Sequence, residues 1–431
     1  MRGGGLSFPG KPCRRFVKDF GREEAEGAGW EEMRRRIHIL VVGAFLFHAI
    51  DFAQSASSSA PERREKPVLL NDFLAAGCKE FDLPAAGAVV IRGGRVAAWG
   101  VAGKRRAGGP EKATLRDKWH LGSITKPMTA TLAAILVEEG GIRWDSTIGE
   151  MFPEWTDAMR PEYRRATLRQ LLCHRGGFPE RAPPAAWAEA WRRRGATQEQ
   201  RRRFVRAVLE QKPEAPPGER FIYSNQGYTV AGAMLEKAAG EPWEILIRRK
   251  LFNPLGMRSA GFGPPAAPGR VDQPWGHVRE NQAWKPIPPG PQADNPPAIG
   301  PAGRVHCSLA DLAKFLLLHL GRIPPGLRLS QAALARLHTP PEKGSYALGW
   351  VVANREWARG AALTHAGSNT MFYAVVWLAL KRDFALAVVT NCAGPGVAEA
   401  EDSIAWRLIQ KFLLRPQPPA PAPSGAAESP S

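Results

Sequence analysis

The sequence predicts an α/β protein of the α+β type, in which an antiparallel sheet built from both chain ends is flanked by helices. Apolar segments typical of strands lie at 85–101 and again at 347–390. Between them, residues 145–250 have mainly helical spacing. Strands at both ends with helices between them favour one sheet that contains both termini, with a mostly helical insertion at about 141–300.

The first 56 residues have the pattern of an export signal behind an upstream extension. Three arginines at 34–36 precede an apolar run at 37–50, and small residues follow at 53–56. This order is typical of a secretory signal peptide, and the run is short for a membrane span. We interpret 1–32 as a non-native extension and 33–56 as the signal peptide. We therefore expect a secreted or periplasmic protein without stable membrane insertion after cleavage. The alternative is a buried N-terminal helix.

A folded domain is expected at 65–415, and its elements follow from local patterns. A β-hairpin at 85–101 is centred on the Gly93-Gly94 pair, which suits a tight turn. Helices are predicted at 68–80, 123–139, 187–194, 198–209, 228–239, 309–320 and 401–414. Strands are predicted at 347–352, 361–364, 372–378 and 385–390. The stretch 261–301, rich in Pro and Gly, is expected to be a long loop that is functional or disordered, and 416–431 a disordered tail.

Composition limits the classes of partner and cofactor. The 431-residue chain has a formal net charge of +18, but its basic residues are scattered and no zinc-finger or RNA-binding motif accompanies them. We therefore expect no nucleic-acid partner. The five cysteines form no C-x-x-C pair, so neither a metal nor a cofactor is predicted. The sequence leaves open whether one disulfide joins two of the last four cysteines, Cys78, Cys173, Cys307 and Cys392.

The most informative stretch is Gly122-Ser123-Ile124-Thr125-Lys126, which opens an apolar helical run that ends at a Gly pair. Ser123 falls at the N-terminus of this helix, where free N–H groups and the helix dipole favour developing negative charge. Lys126 lies one turn along the same face, so its amine can reach the serine hydroxyl. Because a serine needs a neighbouring base, this spacing predicts a nucleophile with a lysine that acts as the base or assists one.

Two further motifs complete the pattern. Tyr223-Ser224-Asn225 lies just before a predicted helix, and His365-Ala366-Gly367-Ser368 stands between two apolar strands near the C-terminus. Together with Gly-Ser-x-x-Lys, and in this order, they resemble the serine β-lactamase and penicillin-binding-protein family. The resemblance is closest to the class C enzymes, DD-peptidases and esterases whose second motif is Tyr-x-Asn. It covers about 68–414 and implies a β-lactamase/transpeptidase-like fold and an acyl-enzyme mechanism.

The resemblance also implies roles for individual residues. Ser123, Lys126 and Tyr223 are the expected catalytic residues, with Tyr223 as the base. We expect Lys126 to favour the tyrosine phenolate, because a nearby positive charge stabilises it. Asn225, which has one acceptor and two donors, is expected to bind both Lys126 and a substrate amide carbonyl.

The third motif is expected to bind substrate. By resemblance, the N–H groups of Ser123 and Ser368 form an oxyanion hole, and Gly367 lets the strand approach the substrate closely. His365 stands where many β-lactamases carry Lys. An unperturbed His is largely neutral at pH 7 and becomes cationic below about pH 6.5, so anionic substrates should improve at low pH. The remaining candidates, His120, His174, Trp187 and Trp191, are expected to be structural.

The sequence therefore predicts an exported serine hydrolase that cleaves an ester or amide through a Ser123 acyl-enzyme. Its expected partner is a small-molecule ester, amide or peptide substrate. The sequence contains no H-E-x-x-H and no G-x-S-x-G motif, so zinc hydrolases and α/β-hydrolases lack support. A true β-lactamase or D-Ala-D-Ala carboxypeptidase is the enzymatic alternative. The alternative from another class is a catalytically silent protein that binds cell-wall peptide or assembles with itself. The sequence does not determine the oligomeric state.

Overall fold

The computed structural model of the protein describes residues 66–415. The predicted upstream extension, the predicted signal peptide and the tail at 416–431 lie outside these residues. In this part of the chain, none of the helices combines the length and the apolar character needed to cross a membrane.

Both ends of the described chain contribute to one seven-stranded sheet. In chain order, the strands are β1 (Val68–Leu69), β2 (Ala85–Arg92), β3 (Arg95–Gly103), β4 (Lys118–His120), β5 (Gly261–Phe262), β6 (Gly276–Glu280), β7 (Ala283–Ile287), β8 (Val305–Ser308), β9 (Val351–Arg355), β10 (Gly360–Ser368), β11 (Tyr373–Ala379), β12 (Phe384–Thr390) and β13 (Cys392–Ala393). The main sheet has the order β1-β3-β2-β12-β11-β10-β9. Its neighbours pair antiparallel, except for β1 beside β3. The pairing of β2 with β12 confirms the predicted sheet.

Helices pack on both faces of this sheet. In chain order they are α1 (Asn71–Glu80), α2 (Thr125–Glu138), α3 (Ile148–Met151), α4 (Leu168–Leu172), α5 (Pro184–Arg192), α6 (Thr197–Leu209), α7 (Asn225–Ala239), α8 (Trp243–Ile247), α9 (Gly300–Gly303), α10 (Leu309–His319), α11 (Gln331–Leu337) and α12 (Val397–Ile409). One apolar cluster joins α1 and α12 to the sheet, through Leu74 and Ile404 among others. A larger cluster joins α2, α7 and α10.

Helix α2 runs through the middle of the larger cluster. Every residue from 125 to 136 is buried. A helix that is apolar on all sides must be enclosed by protein, which explains why its sequence shows no polar face. Its N-terminus is therefore held on all sides, which makes it a rigid support for the residues that precede it.

The hairpin turn follows the prediction, whereas part of the insertion does not. Gly93 and Gly94 have φ values of +60° and +70°, the left-handed pair that a two-residue hairpin turn requires. The stretch 261–301 is not only a loop, because it contains β5 and the paired strands β6 and β7. The β6–β7 turn uses Asn281 and Gln282 at φ +47° and +65°, so the usual Asn-Gly signal is missing.

Other boundaries also shift. Strand β9 starts at Val351 instead of residue 347, because Gly349 adopts φ +86° in a preceding turn. Strand β10 continues to Ser368, which places the whole third motif on a strand instead of between strands. The four cysteines in the described part of the chain are free and buried, so no disulfide joins any two of them in this structure.

Candidate active site

Ser123 lies in a short 3₁₀ turn, Gly122–Ile124, that leads into α2. Its side chain is half-buried, and its hydroxyl oxygen accepts a hydrogen bond of 2.9 Å from the Nζ atom of Lys126. The turn ends where the helix begins, so serine and lysine share a face one helical turn apart. The predicted contact between the two side chains is therefore present.

Lys126 is completely buried, and its amine has three polar partners. Besides Ser123, it lies 2.7 Å from Oδ1 of Asn225 and 2.8 Å from the carbonyl oxygen of Ala302. Burial holds the pKa of Lys126 well below its usual range. Within residues 66–415, no carboxylate pairs with it.

The three partners position the amine for proton transfer. The oxygens of Asn225 and Ala302 can only accept, so each takes an N–H group of Lys126. The third position of Nζ is directed at Oγ of Ser123. Once the amine loses its proton, the lone pair at this third position can accept the serine proton. The arrangement therefore places Lys126 as a candidate base beside the nucleophile.

Tyr223 contacts the same hydroxyl. Its phenol group is hydrogen-bonded to Ser123, and its ring lies 4.8 Å from Nζ of Lys126. Burial raises the pKa of Tyr223 above its ordinary value, and the bond to Ser123 offsets this only in part. The shift is opposite to the expected lowering, so the prediction of a phenolate is wrong for this structure and the protonated phenol is favoured.

Asn225 and His174 fix the second motif. Asn225 is the first residue of α7, and its exposed side chain leaves amide donors accessible to a bound molecule. His174 accepts the N–H of Ser224 at 3.0 Å, and its ring lies 4.3 Å from that of Tyr223. His174 is therefore structural, as expected, but it holds the tyrosine in place. Burial lowers its pKa well below the usual range, with further lowering by Lys126.

Strand β10 meets the serine turn at backbone distance. A β-carbon on Gly367 would lie 2.6 Å from the amide nitrogen of Ser123, and one on Gly122 would overlap the amide nitrogen of Ser368. Only glycine permits such an approach at either position. The structure thus brings the Ser123 and Ser368 amides together, as the predicted oxyanion hole requires.

His365 lies on β10 but does not supply a positive charge. Its Nδ1 atom is 2.6 Å from the carbonyl oxygen of Ala366, and its Nε2 atom is 2.9 Å from the hydroxyl of Tyr346. Burial lowers the pKa of His365 to about 3, and nearby Lys126 adds to the effect. The expected protonation near pH 6.5 is therefore wrong, since the ring is buried and serves as a neutral hydrogen-bonding group.

Sequence reasoning missed one contact of the base. The carbonyl of Ala302 reaches Lys126 from a segment 176 residues away (302 − 126), where Thr129 also binds the carbonyl oxygen of Pro301 at 2.7 Å. A backbone acceptor leaves no residue-type signal, so the sequence does not reveal this contact.

The assembled groups suit acyl transfer. A serine hydroxyl, a buried amine, a phenol and two neighbouring backbone amides are the kinds of group that forming and breaking an acyl-enzyme requires. Within the described residues, no group of three or more His, Cys, Asp or Glu side chains could hold a metal ion. Fold and site together define the class of proteins that carry a Ser-x-x-Lys motif with a tyrosine partner on a mixed α/β fold.

Comparison with known proteins identifies the family. The profile of the Beta-lactamase family matches residues 70–411, and the chain belongs to this family. Penicillin-binding protein 4 of Amycolatopsis lactamdurans is 29% identical over 253 residues, which cover 58% of this chain and 63% of that protein. The match thus spans less than two thirds of the relative's length.

Solved structures with the same fold agree. An octameric penicillin-binding protein homologue from Pyrococcus abyssi has a TM-score of 0.64 and 25% identity, over 79% of this chain and 78% of that one. A D-stereospecific amidohydrolase from a Streptomyces species has a TM-score of 0.59 and 25% identity, over 76% and 96%. These structures share the fold of the family to which the chain belongs.

Proposed function

We propose that the protein cleaves an ester or amide through a covalent acyl-enzyme on Ser123. The 2.9 Å contact between the serine hydroxyl and the buried amine of Lys126 carries this proposal. Because burial lowers the pKa of the amine, it can take the serine proton as Oγ attacks the carbonyl carbon. The carbonyl electron pair moves to the oxygen, where the amides of Ser123 and Ser368 stabilise it.

The protonated phenol of Tyr223 supports the second half of acylation. When the tetrahedral intermediate collapses, the bond to the leaving group breaks and that group needs a proton. Tyr223 touches Ser123 and is protonated, so it donates this proton and recovers one from Lys126 through the same hydrogen bonds. Water then attacks the acyl carbon, with the amine again as base, and frees Ser123.

The neutral state of His365 supports a choice among substrates. Many enzymes with the same motifs hold a substrate carboxylate with a lysine at this position, whereas here the ring is buried and uncharged. We propose that the preferred substrate lacks a carboxylate next to the scissile bond, as in a simple ester, an amide or a peptide cleaved internally. Penicillins carry such a carboxylate and are expected to be poor substrates.

A D-alanyl peptidase activity is the second candidate. The relatives include a penicillin-binding protein and a D-stereospecific amidohydrolase, so a peptide containing D-residues is a chemically consistent substrate. The intact contacts among Ser123, Lys126 and Tyr223 argue against a catalytically silent protein.

One experiment separates these possibilities. The purified protein and its Ser123→Ala variant are incubated with a fluorophosphonate, short-chain p-nitrophenyl esters, a chromogenic penicillin analogue and a peptide ending in D-Ala-D-Ala. We expect a phosphonyl adduct on Ser123 by mass spectrometry, with loss of fluoride, and ester turnover that exceeds penicillin turnover. No adduct and no turnover of any substrate by the wild-type protein would contradict the proposal.

We also propose that the chain is exported. The arginines at 34–36 and the apolar run at 37–50 support this, and cleavage should leave a mature N-terminus near residues 55–58. N-terminal sequencing of protein from a cell fraction tests the proposal. A chain that retains residue 1 or 33 in the cytoplasm would exclude it.

A further inference from the structure

A buried carboxylate lies behind the active site, outside the catalytic set. Asp294 is 1% exposed and belongs to the Pro-rich stretch 261–301. Its Oδ1 atom lies 2.9 Å from Nε2 of His120 and accepts a hydrogen bond of 3.2 Å from Nδ2 of Asn369. Its Oδ2 atom accepts a bond of 2.9 Å from Nε of Arg304. Each oxygen is therefore engaged by side chains that are themselves buried.

The first partner, His120, leads to the nucleophile. The N–H of Gly122 donates to Nδ1 of His120 at 3.1 Å, so this ring nitrogen carries no proton. The proton is then on Nε2, where it faces Asp294. The carboxylate thus selects the tautomer of His120 whose Nδ1 atom can accept the N–H of Gly122. The peptide bond between Gly122 and Ser123 carries the Ser123 N–H, so fixing Gly122 helps to fix that amide.

The second partner, Asn369, leads to the other half of the oxyanion hole. Asn369 directly follows Ser368 at the end of β10. Its Oδ1 atom accepts the N–H groups of Met371 and Phe372 at 3.2 and 2.9 Å, which closes the turn into β11. Its Nδ2 group donates to Asp294. The carboxylate therefore fixes the end of the strand that presents the Ser368 N–H.

We propose that Asp294 is a positioning residue that sets the spacing between the Ser123 and Ser368 amides of the oxyanion hole. This inference rests on the acyl-enzyme function proposed above. The two amides lie 245 residues apart in sequence (368 − 123), and one carboxylate connects the residue next to each of them through one intervening side chain. Asp294 acts through His120 and Asn369.

Physical chemistry explains why such a connection matters. An oxyanion hole is effective when its donors are already placed about 2.7–3.1 Å from the developing charge, and loss of one donor costs roughly 10²- to 10³-fold in rate. Although burial raises its pKa, the neighbouring His120 and Arg304 hold the pKa of Asp294 at about 2. The bridge is therefore a charged acceptor throughout the neutral range, which strengthens the hydrogen bond from Asn369 and the 2.9 Å contact with Nε2 of His120.

The test uses a near-isosteric variant and a matched control. In Asp294→Asn, an NH₂ group must face a group that already donates, either Arg304 or His120, so one bond is lost. The control is Asp117→Asn, because Asp117 is also fully buried, pairs with Arg105 at 2.6 Å and lies three residues before His120. Both changes remove one buried charge, so their general effects on stability are comparable. His120→Phe is the second test variant, which keeps a ring but removes the acceptor for Gly122.

Two readouts are measured on the folded fraction of each variant. The first is phosphonylation of Ser123 by a fluorophosphonate, resolved into the binding constant and the maximal rate constant. We expect Asp294→Asn and His120→Phe to lower the rate constant at least about 10-fold, with binding changed by less than about 3-fold. The control should stay within about 2-fold of wild type. Equal rate constants for Asp294→Asn and Asp117→Asn would overturn the inference.

The second readout does not depend on catalysis. The backbone amide resonances of Gly122 and Ser368 are compared by NMR in a Ser123→Ala background. We expect both to move in Asp294→Asn and not in Asp117→Asn. If the wild-type protein forms no adduct, the proposed function is wrong, and these resonances alone decide the positioning role. Unchanged resonances would exclude it. Should Asp294→Asn not fold, His120→Phe decides by the same two measurements.

Discussion

Replacing Lys126 with Met separates catalysis from stability at the most buried polar group of the site. Methionine has a similar length and fills the same space without an amine. The change removes the base, and general-base assistance is commonly worth about 10²- to 10⁴-fold. We expect the rate of ester acylation to fall by that amount, because Tyr223 is protonated and cannot replace the amine.

The expected effect of Lys126→Met on the free energy of unfolding is small compared with its effect on the acylation rate. The variant leaves two acceptors, but Asn225 is exposed and its oxygen can bind water. The carbonyl of Ala302 is buried and stays without a donor, which costs about 1–3 kcal/mol. Removal of an amine that burial disfavours in its charged form offsets this cost. We therefore expect a free energy of unfolding near that of the wild type at neutral pH.

The pH dependence has a defined sign. Below its usual pKa, Lys126 is protonated in the unfolded chain, whereas the folded protein binds fewer protons because burial lowers that pKa. The free energy of unfolding therefore rises with pH between the folded and unfolded pKa values, and Lys126→Met abolishes this contribution. Acylation should rise with pH through the folded pKa. Urea titrations and stopped-flow acylation across pH test both statements. Near-wild-type acylation by Lys126→Met, or a large loss of stability at neutral pH, would refute the reasoning.

Three further outcomes follow from the site. Tyr223→Phe should slow amide cleavage by about 10²-fold or more and p-nitrophenyl ester cleavage far less, because only the amide needs a proton on its leaving group. Equal losses for the two substrates would exclude Tyr223 as the proton donor to the leaving group. Gly367→Ala should lower kcat by about 10²-fold in a folded protein, because its β-carbon would lie 2.6 Å from the Ser123 amide nitrogen; unchanged kcat would contradict the close approach. Activity on anionic esters should show no gain between pH 8 and 5, because burial lowers the pKa of His365 to about 3, whereas His365→Lys should lower KM for them. A gain in the wild type near pH 6.5 would show that the ring titrates there.

Much of this fold can be read from local pattern, because the pattern and the packing agree. The Gly93-Gly94 turn and the apolar runs of β2, β11 and β12 are each locally typical of their structure. The β6–β7 hairpin is not, since Asn281 and Gln282 adopt left-handed conformations without glycine. Its turn is held by the pairing of its strands, which local sequence does not show.

The catalytic groups were predictable from motif order, but their protonation states were not. A pKa depends on burial and on neighbours brought from elsewhere in the chain. Nothing local shows that the ring of His365 contacts Tyr346, or that burial raises the pKa of Tyr223 by more than its hydrogen bond to Ser123 lowers it. The same holds for Asp294, which stands in a Pro-rich stretch that gave no sign of reaching His120.

The pairing of β2 with β12 has a consequence for biosynthesis. Ala86 of β2 is registered with Thr390 of β12, which is synthesised 304 residues later (390 − 86). Contacts of such long range make folding slow, because the intervening chain must first be closed into a loop. On the ribosome, the turn that contains Ser123 therefore emerges long before β10, the strand that carries the second amide of the proposed oxyanion hole. A nascent chain that ends before Ser368 therefore carries the serine of the first motif without the second amide of the proposed oxyanion hole.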